Sequence, residues 1–126
     1  IDDAGRVFRS VDGGFTWVQV SGDMNGGNNN VVGLAADANL TLYAVDMSED
    51  VWRSNTSGSS WVLVNASFNS GTGDDPVAMG ANSSGMLFVI DETEDVFVSG
   101  NGGVSWKKVA DNLNGGGMIS LRLQLM

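Results

Sequence analysis

The chain has 126 residues, long enough for one modest hydrophobic core. Six basic against fifteen acidic residues give a net charge of −9, so a nucleic-acid backbone or an anionic membrane surface would repel it. Cysteine and histidine are absent, which removes disulfides, thiolate chemistry, and the commonest general base and transition-metal ligand.

No apolar run reaches the roughly eighteen residues a membrane-spanning helix needs. The chain opens Ile1-Asp2-Asp3, which reads as processed or cut from something longer. Residues 5–10 (GRVFRS) alternate as a short strand, and a strand returns over 17–20. A polar loop is expected at 21–30. Residues 31–36 (VVGLAA) are apolar and small, as in a strand buried on both faces. Strands follow at 40–45 (LTLYAV), 51–54 (VWRS) and 61–64 (WVLV), separated by Asp/Asn-rich turns. After a Gly/Asn/Asp loop at 65–76 the order repeats, with strands at 77–81, 86–90, 96–99 and 106–109. A last strand is expected at 118–125, where Ile119, Leu121, Leu123 and Leu125 alternate with polar residues. No stretch holds a helical period for three turns, and eighteen glycines with one proline punctuate the apolar runs as turns. The fold class is all-β.

One octapeptide recurs after 44 and then 45 residues: SVDGGFTW, SNTSGSSW and SGNGGVSW. Four positions are shared: Ser10, Ser54 and Ser99; Gly14, Gly58 and Gly103; Thr16, Ser60 and Ser105; Trp17, Trp61 and Trp106. Self-similarity at this step marks a repeat architecture. An Asp or Asn such as Asp12 or Asn101 accepts turn N–H groups, glycine permits positive φ, and the tryptophan is expected to be buried between neighbouring units. Thr56 stands at the Asp position of the second copy.

The first copy fits every position of, and the chain resembles, the Asp-box or BNR repeat of sialidases, sortilin-type receptors and secreted β-propellers. The resemblance implies four-stranded antiparallel blades, with each box a structural hairpin turn between third and fourth strands. It divides the chain into a partial blade (1–30), two blades (31–76 and 77–117) and the first strand of another (118–126). Residues 42–54 (LYAVDMSEDVWRS) are also similar to tectonin and tachylectin repeats of lectin propellers.

Sialidases of this type use an arginine cluster, a tyrosine nucleophile with a glutamate, and an aspartic acid. Here the only tyrosine is Tyr43, and Arg9 and Arg53 fall at equivalent repeat positions, so no enzyme activity and no cofactor are expected. The acidic clusters 46–50, 74–75 and 91–95 match no calcium loop, and solvated turns are the favoured reading. Glycan recognition leads among binding readings, with Trp52, Tyr43, Phe68 and Asp74 as candidates; Phe8 and Phe97 at the Trp52 position favour a repeated core residue there. The alternatives are a structural protein that assembles into rings or filaments through open blade edges, and part of a glycosidase or sortilin-like propeller. Partners are therefore glycans, other copies, or the remainder of a longer chain. Sequons at Asn39, Asn55, Asn65 and Asn82 lean towards a secreted or cell-surface setting.

Overall fold

The computed structural model describes residues 1–27 and 30–113. Among them every regular element is a strand. β1 (Arg6–Arg9) and β2 (Val18–Asp23) pair as a two-stranded antiparallel sheet. β3 (Val31–Ala36), β4 (Leu42–Asp46), β5 (Val51–Ser54) and β6 (Val62–Asn65) form a four-stranded meander. β7 (Pro76–Ala81), β8 (Leu87–Asp91), β9 (Val96–Ser99) and β10 (Lys107–Ala110) form a second with the same order. We call these the first, second and third sheets. The expected strand at 118–125 lies outside the described residues.

The sheets stack face to face. Val45, Val51 and Phe68 of the second meet Val89 and Phe97 of the third, with Trp106 packed beside them. Phe68 stands edge-on to Phe97, ring centres 5.1 Å apart, and to Trp106 at 5.9 Å. Such T-shaped contacts set the electropositive ring edge on the electronegative face. Val7 and Met24 of the first sheet meet Ala44 of the second, with Trp52 and Trp61 packed alongside.

β3 and β7 approach most closely, and glycine allows it. A Cβ on Gly33 would lie 2.7 Å from Met79 Cβ and 2.9 Å from Val45 Cγ1. Gly33→Ala is expected to cost about 1–3 kcal/mol in urea unfolding, as overpacking does where backbone must shift. A neutral result would mean that β3 and β7 separate freely.

Three expectations about the fold are corrected. β3 is not buried on both faces: Leu34 and Ala36 are exposed. Leu40 does not open β4; it sits in a turn at φ 61° with its side chain in solvent. Trp17 is not buried: it is 60% exposed. Trp61 packs on the first sheet and Trp106 on the second, but among the described residues no sheet lies against the Trp17 side of the first.

Candidate functional site

The three boxes share one hydrogen-bond scheme. Ser10 Oγ accepts from Gly14 N at 2.8 Å, and Ser54 and Ser99 do the same for Gly58 and Gly103 at 3.0 Å. Each tryptophan indole donates to the box glycine's carbonyl: Trp17 to Gly14 (2.9 Å), Trp61 to Gly58 (3.0 Å), Trp106 to Gly103 (2.9 Å). Asp12 accepts from Thr16 N (2.9 Å), Thr16 Oγ1 (2.5 Å) and Ser10 Oγ (2.7 Å). These bonds, those of Thr16 first, hold its carboxyl down to about 2. Asn101 Oδ1 accepts from Ser105 N while its Nδ2 donates to Ser105 Oγ, and Thr56 Oγ1 accepts from Ser60 N. The side-chain hydrogen bonds of Asp12 thus all lie within its own turn. Asp12→Asn is therefore expected to leave the unfolding midpoint at neutral pH unchanged, since Asn101 shows the amide closing the same turn. A large loss would assign Asp12 work outside its turn.

A second series of turns carries buried acids. Asp46 Oδ1 accepts from Ser48 N and Asp50 N, and its Oδ2 accepts from Asn25 Nδ2 (3.1 Å) and Trp52 Nε1 (3.0 Å). Asp91 Oδ1 accepts from Thr93 N, Thr93 Oγ1 and Asp95 N. Asp46 and Asp91 are fully buried, with Glu49, Glu94 and Asp95 nearly so, which corrects the reading of solvated turns. Burial is tolerated because backbone N–H groups replace the lost water. Among the described residues no acidic group is arranged to hold a metal ion.

Asp95 and Asp50 occupy the same repeat position with opposite electrostatics. Lys108 Nζ lies 2.5 Å from Asp95 Oδ2, and that contact is the leading reason the Asp95 carboxyl is lowered. Leu63 replaces Lys108 in the second sheet, each lying one strand across from Trp52 or Phe97. Burial first, then Asp46 and Glu49, raise Asp50. A raised carboxyl pKa means the ionised group opposes folding above its folded pKa, an effect that fades as pH falls towards 3.8. Asp50→Asn is expected to stabilise at pH 7 and progressively less at acid pH, and Leu63→Lys should lower Asp50 as Lys108 lowers Asp95. A pH-independent gain in thermal scans would exclude this cause.

The glycan candidates are buried or half-buried. Tyr43 and Phe68 are buried; Trp52 is half-buried, with its indole N–H held by Asp46. The Tyr43 hydroxyl donates to Asp37 Oδ2 at 3.1 Å, and burial first, then Asp37, raises its pKa. Asp74 is half-buried, its carbonyl accepting from Asn69 Nδ2. The four residues form no common surface because Tyr43, Trp52 and Phe68 belong to the packing between sheets. Arg6 is paired with Asp2 at 2.7 Å, and Arg53 lies against Gly102 of the third box, so these two arginines do not converge. Of the sequons, Asn39 and Asn55 are exposed, whereas Asn65 Nδ2 donates to Val104 O at 2.9 Å and Asn82 Oδ1 closes a turn.

What does open to solvent is an apolar cleft of about 440 Å³ between the first and second sheets. Val7, Phe8 and Arg9 of β1 form one wall; Leu34, Leu40 and Leu42 form the other, and Trp61 closes one end. β1 is hydrogen-bonded to β2 on one side, and among the described residues no strand pairs with its other edge. The corresponding edges of β5 and β9 are filled by β4 and β8. Sequence reasoning did not find this cleft, because it forms between units rather than within a motif.

A family model described as "Sortilin-Vps10: Sortilin, neurotensin receptor 3" matches residues 5–116. No curated protein matches. Among solved structures, "YCF48 bound to D1 peptide" is similar at TM-score 0.69 and 15% identity, over 83% of this chain and 34% of that one. YCF48 from Cyanidioschyzon merolae is similar at TM-score 0.63 and 20% identity, over 82% of this chain and 30% of that one. The chain thus spans about a third of the length of these neighbours. They share its β-propeller architecture.

Proposed function

The chain belongs to the sortilin–Vps10 family, and we propose that it is a non-enzymatic recognition module that binds an extended polypeptide in the cleft beside β1. The observation that carries this reading is the apolar cleft beside β1, whose outer edge pairs with no strand among the described residues. An unpaired strand edge offers backbone donors and acceptors in a row, and a polypeptide strand is the ligand that satisfies them. Side-chain pockets beside the edge then choose the residues.

The second and third sheets indicate the ligand's pattern. Where β4 pairs with β5, Leu42 lies opposite Ser54, Tyr43 opposite Arg53 and Ala44 opposite Trp52. β8 places Leu87, Phe88 and Val89 opposite Ser99, Val98 and Phe97. On β1 the same register sets an aliphatic residue by Ser10, an aromatic by Arg9 and a small apolar residue by Phe8, running antiparallel. That the similar YCF48 structure holds a peptide accords with a polypeptide ligand. A non-enzymatic role accords with the separate placement of Arg6 and Arg53 and with Tyr43, whose raised pKa makes it a poor nucleophile. We place the protein in a secreted or cell-surface setting, with Asn39 and Asn55 as the accessible acceptors.

The test is titration with a synthetic LTLYAV peptide and its scrambled form, read by amide exchange across Arg6–Arg9. The expected result is protection of β1 by the ordered peptide only, weakened about tenfold by Leu40→Glu or Phe8→Glu. Binding that leaves β1 exchange unchanged, or no binding at millimolar peptide, overturns the reading.

A further inference from the structure

Two of the chain's three Asn-Gly pairs lie among the described residues, at 25–26 and 101–102. This dipeptide is open to one reaction above others, because no side chain shields the glycine nitrogen from the preceding carboxamide carbon. The reaction is helped by water at the site and by donors on the carboxamide oxygen, where negative charge develops. A positive charge beside the attacking nitrogen helps it too. The two pairs sit in opposite surroundings.

Asn101 is exposed on the third box, and its carboxamide is held in place. Oδ1 accepts from Ser105 N at 2.9 Å and from Ser99 Oγ at 3.0 Å, and Nδ2 donates to Ser105 Oγ at 2.7 Å. Two donors on one carbonyl oxygen are the arrangement that stabilises an oxyanion. Gly102 follows at φ 72°, and a Cβ there would lie 3.2 Å from Arg53 Nη1 of the second sheet. Glycine therefore lets the guanidinium close on the peptide unit whose nitrogen must lose its proton. Asn25 is instead buried, and its Nδ2 donates to the carboxylate of Asp46 at 3.1 Å. That negative charge opposes a second one building on the same carboxamide.

We propose that the third box is a site of self-promoted deamidation, which converts the Asn101 carboxamide to the carboxylate that the first box carries at Asp12. Gly102 N gives its proton to solvent base and bonds Asn101 Cγ. The Cγ–Nδ2 bond breaks, and Nδ2 takes up a proton and leaves as ammonia. Water then opens the cyclic imide and restores the Gly102 N–H, so the net change is water consumed and ammonia released. Opening at the side-chain carbonyl gives aspartate; opening at the main-chain carbonyl gives isoaspartate, which lengthens the backbone. The box favours aspartate, because that carboxylate accepts from the Ser105 N–H and hydroxyl as Asp12 accepts from those of Thr16. The inference does not depend on peptide binding, because Asn101, Gly102, Arg53, Ser99 and Ser105 all lie outside the cleft lining.

The test incubates the full chain, folded in buffer and unfolded in urea at the same pH, and follows each asparagine by peptide mapping that separates aspartate from isoaspartate. Asn101 should deamidate about tenfold faster in the folded chain than in the unfolded one. Asn25 should do the reverse. Arg53→Gln should slow the folded-chain reaction at Asn101 about threefold, with aspartate as the main product throughout. A rate at Asn101 that is no greater in the folded chain overturns the proposal, and this comparison needs no variant to fold. Isoaspartate as the main folded-chain product overturns it as well, as does an Arg53→Gln chain that folds and reacts at the wild-type rate.

Discussion

Trp106→Ala and Trp61→Ala are each expected to lower the unfolding free energy by about 3 kcal/mol, the lower end of the range for truncating large core side chains. Trp17→Ala, measured at low concentration, should stay within about 0.5 kcal/mol, as surface changes do. The three tryptophans occupy one repeat position and make one indole-to-carbonyl hydrogen bond, so the turn bond cannot separate them. What differs is the neighbour. Trp106 packs against the cluster that holds Phe68 and Val51, and Trp61 against the cluster that holds Val7 and Met24, while Trp17 is largely in solvent. Burial beyond the box, not the box itself, then sets the energy. Urea unfolding of the three variants decides it: equal losses would place the stabilisation in the hydrogen bond and remove the packing argument along with it.

The strands and boxes were legible because they obey short-range rules. Alternation in RVFRS or VFVS, and glycine beside Asp or Asn, need no knowledge of distant residues. The step of 44 and 45 residues also joins Asp2, Asp46 and Asp91, which the box pattern hid. Each opens the same turn: Gly5 N, Glu49 N and Glu94 N donate to the carbonyls of Asp2, Asp46 and Asp91, and Gly5, Glu49 and Glu94 share positive φ near 70°. Charge normally signals exposure, so the sequence alone points to solvated turns at Asp46 and Asp91, and only the fold shows the N–H groups that replace water. Trp17 failed in the opposite sense. Its type promised burial, but burial requires a neighbour, and neighbours are set by stacking order. The cleft was invisible for the same reason, since Leu34, Leu40 and Trp61 come from separate strands and turns.

Grafting the Asp46 environment onto Asp91 is expected to stabilise the third sheet by about 1 kcal/mol, the net worth of one buried hydrogen bond. Asp46 Oδ2 has two donors, Asn25 and Trp52, whereas Asp91 Oδ2 is buried without a hydrogen-bond partner. At the matching positions Asn69 donates instead to the carbonyl of Asp74, and Phe97 has no N–H to give. Phe97→Trp would supply the donor, but its larger ring meets Phe68, whose centre lies 5.1 Å away. Overpacking of that kind costs about 1–3 kcal/mol and would hide the gain. The second sheet shows the remedy, because Trp52 packs beside Met24 where the third sheet has Phe68. Phe97→Trp alone is therefore expected to be neutral or destabilising, and Phe68→Met alone destabilising by under about 1.5 kcal/mol. Together they should be more stable than the sum of the two by at least about 1 kcal/mol, a coupling within the range of contacting pairs. Repeating the cycle on Asp91→Ala separates the causes: packing relief persists there, but the hydrogen-bond share vanishes. A coupling that is the same with and without Asp91 would mean that its unpartnered oxygen costs the fold nothing.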